Sequence, residues 1–447
     1  MERRASMVAA VVGLALIVGG CGTTAADGGS DDGSTMHVHL YGSDANMSNS
    51  LKDKLTDMPA ILSGMVGTAP LLELPESFKE RLRGIDASLA DYGYAAEAYD
   101  AVMLAGLAAE SARSTEAPAI SKFMVGVSNG GTVCDDAATC LGLAKAGKDF
   151  AYRGVSMRRS GFTDAGEPSS ASYGALHFSR SNTVNDNLTE YIGAGDPASA
   201  STTAPPPYTA YPNANAKKRI PPLKIGGLMP HTGRLAFRSA PRFAGARLAV
   251  ADLNAAGGVI DQPVEWVDGD DGTDEKVAAA TVDRLVGLGV QVLIGASSSS
   301  VTKAMIPRIA AANRMLISPS STSDELSTVA DNGLFFRTAP PDTLQARALA
   351  DVIMRDGPHR VTIVAREDAY GLGLQKNVKA DLLTAGMADA SVDLISYPIT
   401  TEDYSGIAAR IRQNAPDGVL ILGYDETALI VKALAARKVG TAEGLGG

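Results

Sequence analysis

Four consecutive serines, Ser297 to Ser300, stand between the apolar run Val290–Ile294 and a stretch of helical spacing that begins near Val301. Hydroxyls and free backbone N–H groups at the first turn of a helix suit an anion, because the helix dipole presents its positive end there. Serines in that place also act as plain helix caps, so a binding site needs partners from elsewhere in the chain. Gly126-Val127-Ser128-Asn129-Gly130 has the spacing of a serine nucleophile elbow. Gly131 and Thr132 follow where a helix should begin, and no histidine pattern supports it, so a glycine-rich loop is expected. His37 and His39 alternate onto one strand face, where they would need a third ligand to hold a metal. None is near, and no metal is expected. Asp268-Gly269-Asp270-Asp271-Gly272 has the acidity of a calcium loop but misplaced glycines and no closing Glu. It reads as a solvated turn that caps a helix at Asp274. No catalytic residue is assigned, the chain is not read as an enzyme, and no cofactor is implied.

The 447 residues are 45% hydrophobic and 20% charged, with a formal net charge of -10. That is the balance of a globular chain with a sizeable core. No basic stripe exists to neutralise phosphates, which argues against nucleic acid as a partner. Arg3 and Arg4 precede an apolar run from Met7 to Val18 that ends in Val18-Gly19-Gly20-Cys21. A basic start, a short apolar segment and small residues before a cut site mark an export signal over residues 1–20. A Cys directly after those small residues is similar to a bacterial lipobox, in which Cys21 is lipidated and anchors the chain to the outer side of the cell membrane; an ordinary secretory signal with an incidental Cys is the alternative. Residues 21–35 read as a flexible tether. Cys134 and Cys140 remain, and in an oxidising compartment two close cysteines are expected to form a disulfide.

These candidates need elements to hold them. From Gly193 to Pro222 the chain turns to Ala, Ser, Thr and Pro, including Pro205-Pro206-Pro207, and reads as an extended linker. It separates 36–192 from 223–447. In the second block, strands at Leu223–Leu228, Val264–Val267, Val290–Ile294 and Met315–Ile317 alternate with helices at Arg242–Asn254, Asp274–Leu288 and Val301–Asn313. After Phe335–Thr338 the pattern restarts, with strands at Val361–Val364, Ala390–Tyr397 and Gly418–Leu422 around helices Leu372–Ala385 and Ser405–Asn414. Apolar strands alternating with amphipathic helices predict βαβ units and parallel sheets. A last helix, Glu426–Val439, leaves the second sheet one strand short, and His37–Tyr41 is a strand with no local partner.

Seven motifs then occur in family order. They are Lys224-Ile225-Gly226 with Pro230-His231-Thr232-Gly233, Ala251 to Gly258, Ile294-Gly295 with Ser297 to Ser300, Ile317 to Thr322, Phe335 to Pro340, and Asp368-Ala369-Tyr370-Gly371. With them, residues 223–447 resemble the first two-thirds of a branched-chain amino acid binding protein, of the type I periplasmic binding class. Residues 36–178 resemble the remaining third, through Gly42-Ser43-Asp44, Gly67 to Pro70 and Tyr94 to Asp100. The order is swapped, so the resemblance implies a circularly permuted α/β fold; two unrelated partial domains are the alternative. It implies two doubly wound parallel-sheet lobes joined by a hinge, lobe 1 from 223–341 and 70–160, lobe 2 from 342–447, 36–69 and the tail 161–192. It further implies that Ser299, beside Ser298, meets a ligand carboxylate, with the Thr322 hydroxyl and the Ser320 carbonyl nearby. Asp44 would pair with the ammonium, and Tyr370 and Tyr424 would wall lobe 2. Arg238 stands where the family has an aromatic lid, which favours a ligand with a polar or acidic side chain. The implied role is capture of an amino acid or similar small zwitterion for an ABC permease, with ligand sensing as the alternative.

Overall fold

The computed structural model describes residues 34–89, 91–159 and 161–445. The expected signal, Cys21 and nearly all of the tether lie outside the described residues. Among the described residues, no helix is long and apolar enough to cross a membrane.

The apolar runs of the second block form a five-stranded parallel sheet. Its spatial order is Phe335–Arg337, Met315–Ser318, Val292–Gly295, Lys224–Leu228, Glu265–Val267. Two of its inner strands, Met315–Ser318 and Val292–Gly295, are almost wholly apolar and fully buried, because both faces are covered. The helix expected from Arg242 begins earlier and spans Ser239–Ala255. It packs against helix Ala95–Ala112 from the first block, in which every residue from Ala95 to Ser111 is buried. Alanines and glycines make this contact close: a Cβ at Gly245 would lie 2.1 Å from the Ala95 carbonyl oxygen. One core accordingly runs through Leu74 to Phe162 and Leu223 to Phe336.

The second sheet has seven strands, ordered Val392–Tyr397, Val361–Arg366, Gly418–Leu422, His39–Gly42, Val66–Pro70, Ser170–His177, Glu190–Gly195. The first five are parallel, and the last two add an antiparallel hairpin. The expected strand His37–Tyr41 is broken at Val38. Met36–His37 pairs with Val439–Gly440, and His39–Gly42 pairs with Gly418–Leu422 in the place the second block left open. The helix expected at Glu426–Val439 is shorter, Thr427–Ala436, because the chain turns into that short strand, and a further short helix, Ala442–Leu445, follows. The chain passes between the two halves three times: between Ala69 and Leu74, between Phe162 and Ala175, and between Phe336 and Ala346.

Three local expectations need correction. The linker expected from Gly193 starts later, since Gly193 to Gly195 complete a strand. Nor does it float: Tyr208 packs beside Phe123 and Arg113, and Gln262 donates to the carbonyls of Lys217 and Ile220. In the acidic turn, Asp271 is fully buried rather than solvated, although Asp274 caps helix Glu275–Gly287 as expected.

Cys134 and Cys140 form a disulfide that ties strand Thr132–Cys134 to helix Ala137–Lys145. Ser128 is buried; its hydroxyl donates to the Val125 carbonyl and accepts from the Phe162 N–H, a structural turn rather than an elbow. His39 lies 3.5 Å from Asp356, and no group of three or more metal-binding side chains occurs among the described residues.

Candidate functional site

The four-serine run follows strand Val292–Gly295, whose last residue has a φ of +140° and presses on Leu228, a position only glycine fills without strain. The helix starts at Ser299, two residues before the expected Val301, so the serines form its first turn. Asp271 holds the turn from beneath, accepting from the Ser297 N–H at 2.8 Å and from the Thr273 N–H. Burial pushes the Asp271 carboxyl up to about 6 against those hydrogen bonds. The neighbouring loop, Ser318 to Ser323, is stitched to the same turn. The hydroxyls of Ser318 and Ser321 donate to the Ala296 carbonyl, and Ser299 Oγ accepts from the Ser323 N–H at 3.2 Å. Buried Arg337 fixes the loop from behind by donating to the carbonyls of Ser321 and Ser323 while paired to Glu167. Left over are Ser320 Oγ, Thr322 Oγ1 and Ser323 Oγ, buried and without a hydrogen-bond partner.

The other half supplies Asp44, at the end of strand His39–Gly42. Its carboxylate accepts from Tyr370 Oη at 2.8 Å, Gln345 Nε2 at 2.9 Å and Tyr94 Oη at 2.6 Å. Tyr94 belongs to the first half and has a left-handed φ of 61°, a conformation uncommon outside glycine and concentrated at ligand clamps. Tyr370 and Tyr424 stack with ring centres 5.7 Å apart. Arg366, paired to Asp368 and Glu426, lies 3.6 Å from the centre of the Tyr424 ring and fixes it.

Asp44, Ser299, Ser320, Tyr370 and Tyr424, five of the residues expected from the sequence, line one cavity between the halves with Ala45, Leu235, Arg242 and Ser297. It is small, about 10 Å³, room for roughly one water. The Ser298 hydroxyl lies at the Tyr424 hydroxyl, 3.5 Å away. Thr322 stands one step behind, its carbonyl accepting from the Asp342 N–H at 2.7 Å. Burial and the nearby Asp44 charge raise the Asp342 carboxyl well above the usual carboxylate range.

Arg238 is not in this cavity. It is buried, and it reaches across to donate to the carbonyls of Asp44 and Met47. It also lines an adjoining cavity of about 310 Å³ with Tyr92, Tyr94 and Leu72. A larger hollow of about 570 Å³ near Asn332 and Lys122 gathers none of these groups. Arg242, Tyr94, Gln345 and Asp342 were missed from sequence, where no spacing or motif singled them out as a site.

Residues 222–444 match the family model described as periplasmic binding protein. The Leu/Ile/Val-binding protein of Citrobacter freundii is 30% identical over 206 residues, which cover 45% of this chain and 54% of that protein. The leucine-specific-binding protein of Salmonella typhimurium is 31% identical over 186 residues, covering 41% and 49%. The chain spans about half the length of the curated relatives it matches. Among solved structures, the branched-chain amino acid transporter substrate binding protein LivJ of Streptococcus pneumoniae, in complex with isoleucine, aligns with a TM-score of 0.43 and 23% identity, over 48% of this chain and 62% of that one.

Proposed function

We propose that this chain, whose residues 222–444 carry the sequence of the periplasmic binding protein family, is an extracytoplasmic solute-binding protein that captures an amino acid or similar small zwitterion for an ABC importer. One observation carries the reading. Groups suited to a carboxylate, at Ser299, and to an ammonium, at Asp44, face one cavity from different halves of the molecule. A ligand that touches both halves holds them together, so binding and closure are one event. The cavity of about 10 Å³ is the closed limit of that movement, and entry of a ligand requires the halves to part.

In this reading the match to one copy of the family fold is completed by residues 36–192, placed ahead of the rest. Cys21, lipidated, would hold the protein at the membrane beside its permease. Calorimetry of the purified protein against the free amino acids tests the function, and at least one should bind with 1:1 stoichiometry. Asp44→Ala should lower that affinity more than Ser299→Ala. Losing Asp44 leaves a buried ammonium unpaired, at about 3–5 kcal/mol for a broken buried pair, whereas losing one hydroxyl leaves the backbone N–H groups in place. Failure of every amino acid to bind, or an Asp44→Ala variant that binds as tightly as wild type, contradicts this assignment.

A further inference from the structure

The one cation among the described residues that line the central cavity is a side chain that no motif marked. Arg242 lies on helix Ser239–Ala255, is 3% exposed and lines the central cavity. One of its terminal nitrogens donates to Ser297 Oγ at 3.2 Å, its Nε has no hydrogen-bond partner, and its guanidinium sits 5.1 Å from the centre of the Tyr94 ring. Among the described residues, no carboxylate forms an ion pair with it. The acids around it are committed elsewhere. Asp271 accepts from the N–H groups of Ser297 and Thr273, and Asp44 accepts from Tyr94, Tyr370 and Gln345. Glu97 is pushed up to about 8 by burial and is neutral at neutral pH. Arg242 itself falls only to about 10, through desolvation and the neighbouring Arg238, so it keeps its charge there.

A buried cation with no carboxylate in ion-pair contact is costly unless something else pairs it. The surroundings of Arg242 specify what fits. Its guanidinium bonds to Ser297, just ahead of helix Ser299–Ala311, whose dipole also favours an anion. Ser320 Oγ, 6% exposed and without a partner, lines the same cavity as a further donor. A planar fork beside a serine turn is the arrangement that suits a carboxylate.

We propose that Arg242 is the specificity-determining residue of this site, gripping the carboxylate of the ligand together with the Ser297–Ser299 turn, so that the ligand is a small carboxylate whose acid group is obligatory. This rests on the solute-binding reading above and names the group the site reads. Arg238 cannot substitute, because it does not line this cavity and reaches instead to the carbonyls of Asp44 and Met47.

The test offers amino acids to the full-length protein as free acids and as their carboxamides, L-leucine with L-leucinamide among the pairs, and reads affinity by calorimetry. Wild type should prefer the acid about tenfold to a hundredfold, the range of a hydrogen bond to a charged group. In Arg242→Gln the preference should shrink to within about threefold, while the amide binds as before. A merely structural role would weaken acid and amide alike. If the glutamine variant does not fold, Arg242→Lys, which keeps the charge but not the fork, should retain a reduced preference. Equal binding of acid and amide by wild type, or a preference unchanged in a folded variant, overturns this inference while leaving the solute-binding reading intact. Absence of binding to any member of the panel overturns that reading, and this inference with it.

Discussion

Burial raises the titration of several acids around the cavity, and for Glu97 the consequence is measurable. Glu97, inside helix Ala95–Ala112, is pushed from 4.5 up to about 8, chiefly by desolvation, with Asp100 adding to the rise and Arg242 opposing it. Between those values the native state holds a proton that the unfolded chain has lost. Stability therefore falls as pH rises through that window, by at most about 1.4 kcal/mol per pH unit for this group. Glu97→Gln keeps the shape without the titration, so its stability relative to wild type should grow from about pH 5 to about pH 8. Urea unfolding at both pH values checks this, and an equal difference at the two contradicts a neutral Glu97. The same scale shows what the sequence conveyed. Asp44, Ser299, Ser320 and Tyr370 belong to motifs at strand ends, where position along the chain nearly dictates position in space, and they meet. Arg242 and Gln345 sit on helices, where direction depends on how the helix is turned against its neighbours. Arg238 shows the same: its place in the motif pointed to the ligand, yet its long side chain spans the halves and ends on two carbonyls.

At the level of elements, period and turn chemistry located most strands and helices of the second block to within a few residues, but helix Asp342–Asp356, which carries Gln345, was not read. The first block was harder to read because its central helix is hydrophobic nearly all round; such a helix lies in a core and carries no polar stripe. Its polar residues are enclosed instead, as with Asp100, which accepts from Tyr152 Oη and the N–H groups of Val155, Ser156 and Met157. The linker was misjudged for a related reason, since composition reports stiffness and not the surface a segment finds to rest on. The contact between helices Ala95–Ala112 and Ser239–Ala255 joins the two blocks, and Gly245 permits it. Gly245→Ala should cost about 1–3 kcal/mol, the usual range for overpacking, because its Cβ would meet the Ala95 carbonyl. Gly406→Ala is the control, with nothing within 4 Å of the added carbon and a helix position where alanine is favoured by up to about 1 kcal/mol. Urea midpoints that move together in the two variants would show that the helices are not so closely packed.

For the whole molecule, the question is whether the order of the two blocks matters once they have folded. Strand His39–Gly42 sits between Gly418–Leu422 and Val66–Pro70, so the seven-stranded sheet cannot be completed by either block alone. The two ends of the described chain also meet, with the Met36 N–H donating to the Lys438 carbonyl at 2.8 Å and Met36–His37 pairing with Val439–Gly440. Ends that lie together are the condition under which a chain can be cut elsewhere and rejoined. A gene that begins at Leu223, runs to Leu445, crosses a flexible Gly/Ser linker of about ten residues to Met36 and ends at Pro222 would restore the order the resemblance implies. Every pairing in both sheets is compatible with that path, because the new break falls in the coil between Ile220 and Lys224. The new loop costs little, as closure entropy grows only slowly with length. The rearranged protein should therefore form the Cys134–Cys140 disulfide, unfold in one transition close to that of the original, and bind the same ligand with similar affinity. Thermal unfolding and calorimetry on both chains decide it. A rearranged chain that aggregates, or that folds and does not bind, would mean that the present order is required by the fold and that the swapped reading is wrong.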